Sequence, residues 1–464
     1  MTAATSTTAP ASPTRGANKR ARSVRKSSST ESMQIDGGAG ASTSSSFQPP
    51  GLKKVKSAVV EVNSHPAIPA VPGRVFVFGT GDCAQLGLGE DITSRKKPTP
   101  LPTLDDEQVV EIAAGGLHNM ALTAEGKLWS WGVNDQKTLG RSGDEYTPAP
   151  VEGLDDVKIV KVACSDSVTV ALSDKGEVYT WGTYRSAEGI LGHSKDAEVQ
   201  EKPTIVPGLD KVFIVDIATG TDHVLALSST GLVYSWGNGQ QGQLGRRIIP
   251  RRMLNGLSPE KVDSIKDKIR VGAGSYHSFA IDQDGKAYGW GLNNYGQAGQ
   301  ESAKVDMVPS IEPIAGFKDL VMKDVQGGEH HSVALTKDGK VYTWGRSDSH
   351  QLGLGYVTEP PKEGEVAEDA SLSTGHKKAI RHATCVPNLA NVDAISVGSN
   401  HTLALTRTGE VYAWGFGEML ACGNAEEDDV PTPLKLTGQK IEGHRIIAVA
   451  AGGQHSMILA VKEV

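Results

Sequence analysis

The sequence has 464 residues, 54 of them glycine, and a formal net charge of −7. No stretch approaches the ~18 consecutive apolar residues of a membrane-spanning helix, and the N-terminus lacks the apolar core of a secretory signal. The four cysteines, Cys83, Cys164, Cys385 and Cys422, are far apart in sequence, which argues against both a disulfide framework and a C-x-x-C metal or redox site and points to a reducing, intracellular setting.

Residues 1–70 are rich in Ser, Thr, Ala and Pro and poor in large apolar side chains. Such a segment buries too little surface to offset its ordering entropy, so it reads as a disordered tail. Its nine basic and three acidic side chains give it +6, leaving −13 on the rest of the chain. The basic residues cluster as Lys19, Arg20, Arg22, Arg25 and Lys26, and again as Lys53, Lys54 and Lys56. Clusters of this kind suit nuclear import, contact with a phosphate backbone, or both.

From residue 71 onward the chain repeats. An aromatic–small–aromatic–Gly element occurs seven times: Phe76–Gly79, Trp129–Gly132, Tyr179–Gly182, Tyr234–Gly237, Tyr288–Gly291, Tyr342–Gly345 and Tyr412–Gly415. The terminal glycines are 53, 50, 55, 54, 54 and 70 residues apart. Two aromatics at i and i+2 lie on one face of a strand. Before each element but the first stands a glycine-rich turn leading into H-x-x-A-L or a close variant. His118, His223, His277, His331, His401 and His455 fill the histidine slot and Val168 replaces it once. Hairpin signals such as Asp284-Gly285 and Asp338-Gly339 join the two strands. A third element follows the aromatic strand, as in Gln85-Leu86-Gly87 and Gln243-Leu244-Gly245.

The ends of the array decide its shape. The first repeat has no histidine strand before it, and the last histidine strand, from His455, has no aromatic strand after it. Each half alone would leave an unpaired edge; paired, they close a ring. The fold class expected is all-β: a seven-bladed β-propeller over residues 71–464, closed by N- and C-terminal strands sharing one blade.

The H-x-x-A-L, Y-x-W-G and Q-L-G elements over about residues 74–461 resemble the repeats of the regulator of chromosome condensation family. That resemblance implies a nuclear, chromatin-associated guanine-nucleotide exchange factor for the Ran GTPase. It also implies core histones and DNA as further partners and an import receptor bound through the basic tail. The rival reading is a propeller adaptor without exchange activity, for which an insertion at about Tyr356–His382 would serve. The family's plant UV-B photoreceptor uses extra clustered tryptophans, whereas six of the seven here belong to the scaffold and Trp129 is a strand partner.

No covalent chemistry, cofactor or metal is expected. The two G-x-G-x-x-G matches, at Gly79 and Gly237, belong to the repeated turns and open no helix. The repeat histidines belong to separate blades and suit hydrogen bonds in tight turns better than a metal centre. Function is therefore sought where the repeats differ. The slot before the repeat histidine holds Leu117, Ser167, Asp222, Tyr276, His330, Asn400 and Gln454, of which Asp222 and His330 are the ionisable outliers. The slot three residues after each terminal glycine includes Asp82, Arg185 and Gln240. Between that glycine and Leu-Gly, the third copy carries eight residues rather than six: Thr183, Tyr184, Arg185, Ser186, Ala187, Glu188, Gly189 and Ile190. In the family a wedge at this point enters the GTPase. The resemblance thus implies a partner-facing surface of Asp82, Asp166, the Thr183–Ile190 wedge and Arg246, with Asp222 and His330 as its principal residues.

Overall fold

The computed structural model describes residues 61–263, 266–356 and 379–463. The basic clusters of residues 19–26 and 53–56, and residues 357–378 of the insertion, lie outside them. Within the described residues, strands form seven four-stranded antiparallel sheets arranged as the blades of a propeller. Blade 1 has an inner strand Val109–Ala114, a second strand His118–Thr123, a third Leu128–Gly132 and a short outer strand Ala149–Pro150. Blades 2 to 6 repeat this plan, their inner strands starting at Ile159, Ile214, Lys268, Met322 and Val392. Blade 7 is shared: His444–Ala451 and His455–Lys462 supply its inner strands, Arg74–Thr80 and Ser94–Pro100 its outer ones. Arg74 pairs with Ala460 and Gly79 with His455, so the ring closes as the sequence ends require.

The repeated motifs mark the two middle strands of each blade. The second strands, such as His223–Ser228, are buried along their whole length, packed between neighbouring blades. The inner and outer strands carry weaker signals. Outer strands such as Gln200–Ile205 hold Lys and Pro, as edges must if they are not to pair with other chains. In blades 1 to 6 the third strand packs its indole completely: Trp131, Trp181, Trp236, Trp290, Trp344 and Trp414 are all at most 2% exposed.

Adjacent blades are clasped by the repeat histidines. His118 Nε2 lies 2.8 Å from Thr169 Oγ1, His223 2.8 Å from Ser278 Oγ, His277 2.9 Å from Ser332 Oγ and His401 2.8 Å from Ser456 Oγ, each partner in the next blade. The glycine of the preceding turn makes room for the ring. A Cβ on Gly220 would stand 2.2 Å from His223 Cε1. Burial holds these imidazoles neutral, pushing His118, His223, His331 and His455 down to about 3 and His401 to about 4.

The inner strands line a central channel that encloses about 290 Å³. At one level of the wall, paired with equivalent second-strand residues, successive blades present Glu111, Lys161, Asp216, Arg270, Asp324, Ala394 and Ala448. The charges alternate in sign over five blades, and Asp216 pairs with both Lys161 and Arg270.

Residues 61–73 do not belong with the tail composition that precedes them. They run beneath blades 3, 2 and 1, on the face that carries the hairpins between second and third strands. Val62 N–H donates to the Ser229 carbonyl at 2.7 Å, and Asn63 Nδ2 to the carbonyls of Ser228 and Lys268 at 3.1 and 2.9 Å. The His65 ring stacks on Phe213 with centroids 4.0 Å apart, and Ile68 packs against the cores of blades 1 to 3. An aromatic and an aliphatic side chain thus anchor this strap to the propeller ahead of residue 71.

Candidate partner-binding face

The turns between inner and second strands and the loops after the third strands share one end of the propeller, because residues such as His118 and Gly132 face each other across the ladder. The positions at which the repeats differ therefore gather on this end, opposite the strap.

The expected wedge is a two-stranded hairpin, Tyr184–Ser186 and Gly189–Gly192, projecting from blade 2. It starts from Gly182, whose φ of +104° and missing Cβ let the chain pass 2.3 Å from where that atom would meet the Ser167 carbonyl. Its tip is open: Arg185, Ala187, Glu188 and Ile190 are exposed, Ile190 to 53%. Its base is fastened to blade 3. Asp222 Oδ1 accepts hydrogen bonds from Arg185 N–H at 2.7 Å and Ser167 Oγ–H at 2.8 Å. Asn238 Nδ2 donates to the Arg185 carbonyl at 3.0 Å, and Gln240 Oε1 accepts from Ala187 N–H at 3.1 Å.

Asp222 is 8% exposed. Desolvation raises its pKa above the usual carboxylate range, and the bonds from Ser167 and the Arg185 amide pull it back. Asp166, on the matching turn of blade 2, is exposed by area yet lines the channel mouth. Desolvation and the neighbouring Asp222 carboxylate push it up to about 6.

His330 forms the other half of the site, on blade 5. Its Nε2 lies 3.6 Å from Glu329 Oε1, and its ring sits 6.1 Å from Tyr276 and 5.2 Å from Tyr295. The Arg346 guanidinium lies 5.8 Å from the Tyr295 ring centroid and forks onto Asp348 at 2.7 and 2.9 Å. Desolvation lowers the His330 pKa against the opposing pull of Glu329. Among the described residues its buried Nδ1 has no hydrogen-bond partner. Asp222 and Glu329 both act electrostatically on Asp166, and all three act on Tyr276, so blades 2 to 5 present one acidic, partly aromatic rim around the channel mouth.

Not every expected residue belongs to this rim. Thr183 and Tyr184 are buried, not partner-facing: Thr183 Oγ1 donates to the Glu198 carbonyl at 2.6 Å and Tyr184 is 1% exposed. Arg246 lies beneath its loop, donating to the carbonyls of Ser235, Gly256 and Ser258 at 3.2, 3.3 and 2.9 Å. Asp82 is exposed on the same end but on blade 7, apart from the Asp222–His330 rim. Conversely, Glu329, Tyr295 and Arg346 join the site without having been singled out. Each adjoins a slot that was compared: Glu329 precedes His330, Tyr295 follows Asn294 and Arg346 follows Gly345. Among the described residues no group of three or more His, Cys, Asp or Glu side chains is placed to hold a metal ion.

The model of the RCC1-like domain matches residues 74–458. The guanine nucleotide exchange factor SRM1 of Saccharomyces cerevisiae is 35% identical over 437 residues, covering 86% of this chain and 89% of that protein. The crystal structure of Prp20p from the same yeast, described with its binding properties to Gsp1p and histones, superposes with a TM-score of 0.78 at 35% identity, covering 86% of this chain and 94% of that one. Yeast RCC1 (Prp20) with Kap60 bound gives a TM-score of 0.79 at 34% identity, covering 91% and 97%.

Proposed function

Because the chain belongs to the RCC1-like domain family, we propose that it is a guanine-nucleotide exchange factor for the Ran GTPase, acting on chromatin to generate nuclear Ran-GTP for nucleocytoplasmic transport and mitosis. The observation that carries this reading is the wedge: a hairpin with an open tip, braced at its base, rising beside an acidic rim whose groups are buried enough to bind strongly and open enough to be reached. Exchange makes and breaks no covalent bond. A GTPase grips its nucleotide through backbone amides, a lysine and Mg²⁺. A factor that binds the empty form more tightly than the loaded form weakens nucleotide binding by the same ratio, as linkage requires.

In this mechanism Arg185, Ala187, Glu188 and Ile190 at the wedge tip press on the phosphate-binding segment. Asp222 holds the wedge, while His330 and Asp166 hold the displaced segments through polar contacts. The −13 outside the basic tail steers a basic partner face toward the rim and raises the association rate.

The chromatin and import parts of the reading are supported by charge. The clusters Lys19–Lys26 and Lys53–Lys56 supply phosphate and import-receptor contacts from a separate N-terminal tail. On the propeller itself, Arg247, Arg251 and Arg252 are exposed around the short 3-10 segment Pro250–Leu257, an isolated basic patch on an acidic body suited to histones or DNA.

The test is release of a fluorescent GDP analogue from Ran by catalytic amounts of the full chain, beside Asp222→Ala and His330→Ala. Acceleration by several orders of magnitude, reduced in both folded variants, supports the reading. No acceleration by the folded protein sinks it and leaves the adaptor alternative.

A further inference from the structure

The seam between blades 2 and 3 departs from the others in two places, and both departures lead to the wedge. Every other seam is clasped by a repeat histidine; here Val168 stands in that slot, and Ser167 Oγ–H reaches across the seam at that level to donate to Asp222 Oδ1 at 2.8 Å. The second departure concerns the scaffold tryptophans. Trp131, Trp181, Trp290, Trp344 and Trp414 each donate their indole N–H to a backbone carbonyl of the preceding blade's turn, at Gln85, Thr138, Gln243, Gln297 and Gln351. Trp236 has no such turn before it, because here Ile190-Leu191-Gly192 stands where other blades have Gln-Leu-Gly or a variant and forms a strand of the wedge. It donates instead to the Tyr184 hydroxyl, at 2.7 Å. Tyr184 also stacks on His193, centroids 6.2 Å apart, and His193 Nε2 lies 3.0 Å from Thr180 Oγ1.

We propose that Tyr184 is a positioning residue: bound to Trp236, it fixes the setting angle of the wedge on blade 3 from its buried root, beneath the bonds that Asp222, Asn238 and Gln240 make nearer the tip. A hairpin held only by half-exposed polar bonds to its backbone can pivot about them; a buried side chain bonded at its root is a mount that fixes its direction. The mount converts a scaffold bond present at five other seams into a fixture for a moving-partner contact. Trp236 loses no hydrogen bond in the exchange, and the wedge gains a foundation in the core. The kinetic consequence rests on the exchange-factor reading; the mount itself does not.

The experiment uses the full chain with Tyr184→Phe, Trp236→Phe and the pair combined. Hydrogen exchange of the free protein reports the wedge directly, and GDP release from Ran over a range of factor concentrations reports its use. Tyr184→Phe is expected to speed exchange of the Arg185 and Ala187 amides about tenfold while the blade amides keep their protection. It is expected to lower the maximal release rate about five- to tenfold with the half-saturating concentration unchanged. The combined variant is expected to be no worse than either single one, since both remove the same bond. Unchanged wedge protection in Tyr184→Phe overturns the proposal. So does a loss of activity that follows a general loss of melting temperature across the blades. If the wedge amides loosen as expected but the unaltered chain releases no GDP, the mount stands and the exchange-factor reading alone fails.

Discussion

His455 Nε2 lies 2.6 Å from Asn119 Oδ1, across 336 residues of sequence, where blade 7 meets blade 1. At the other histidine-clasped seams the partner is a serine or threonine hydroxyl, which can donate or accept. An amide oxygen only accepts, so His455 must carry its proton on Nε2. The same Asn119 donates through Nδ2 to the Gln85 carbonyl at 2.8 Å, and one side chain thus ties the last strand, the first turn and blade 1 together. Asn119→Ala leaves the buried His455 N–H without a partner and is expected to cost about 2–4 kcal/mol of stability. Urea denaturation checks this; a loss under about 0.5 kcal/mol would assign ring closure to the strand ladder alone.

Acid should loosen the ring. The repeat histidines have folded-state pKa values depressed to about 3 or 4, and that of His277 lies well below its ordinary value, all through burial. In the unfolded chain they titrate near 6.5. The unfolded state therefore binds protons that the folded state refuses, so their contribution is complete above about pH 6.5 and shrinks as pH falls toward 4. At pH 5 each such histidine costs about 2 kcal/mol. The melting temperature should fall steeply between pH 7 and 5, and a flat profile would mean that these rings protonate within the fold.

Glu111 shifts the opposite way. Burial in the channel wall outweighs the attraction of Lys161 and pushes its carboxyl up to about 7. A carboxyl raised in the folded state favours folding at low pH and costs stability once pH passes through the folded value. Glu111→Gln is therefore expected to stabilise the protein by about 1–3 kcal/mol at pH 8 and to be nearly neutral at pH 5. Thermal melts at the two pH values decide it; equal effects would show that Glu111 is charged in the fold at both.

Asp222 and His330 should fail differently. Asp222→Asn keeps an oxygen for the Arg185 amide and should retain more exchange activity than Asp222→Ala, which is expected to lose about tenfold or more. His330→Ala removes a group with no structural hydrogen bond through Nδ1, so its loss should fall on exchange with a melting temperature within a few degrees of the parent. If Asp222→Asn and Asp222→Ala are equally impaired, the charge rather than the acceptor geometry is what the site uses.

The repeat pattern made the ring legible, because a buried strand between two blades tolerates only certain residues at each place. Ring closure followed from two unmatched half-blades. The site was legible only as a list of exceptions. Thr183–Ile190 stood out by length, yet length cannot say which residue turns inward; Tyr184 does so because Trp236, some fifty residues on, lacks a carbonyl to bond. Arg246 looked like an exposed exception and is absorbed by three carbonyls that only the folded loop brings near. Glu329, Tyr295 and Arg346 draw their meaning from neighbours on adjacent blades, and sequence spacing carries no such information.

The strap has a consequence for how the molecule can work. Residue 61 joins the propeller beneath blade 3, on the hairpin face, while the wedge rises from the opposite end. The chain thus enters the propeller at the end away from Asp222 and His330, and a contact made at that entry leaves the rim clear. On the proposed exchange-factor reading, a protein held near that entry stays moored at a fixed address while successive clients arrive and depart on its far side, so that the location of the mooring becomes the location of the product.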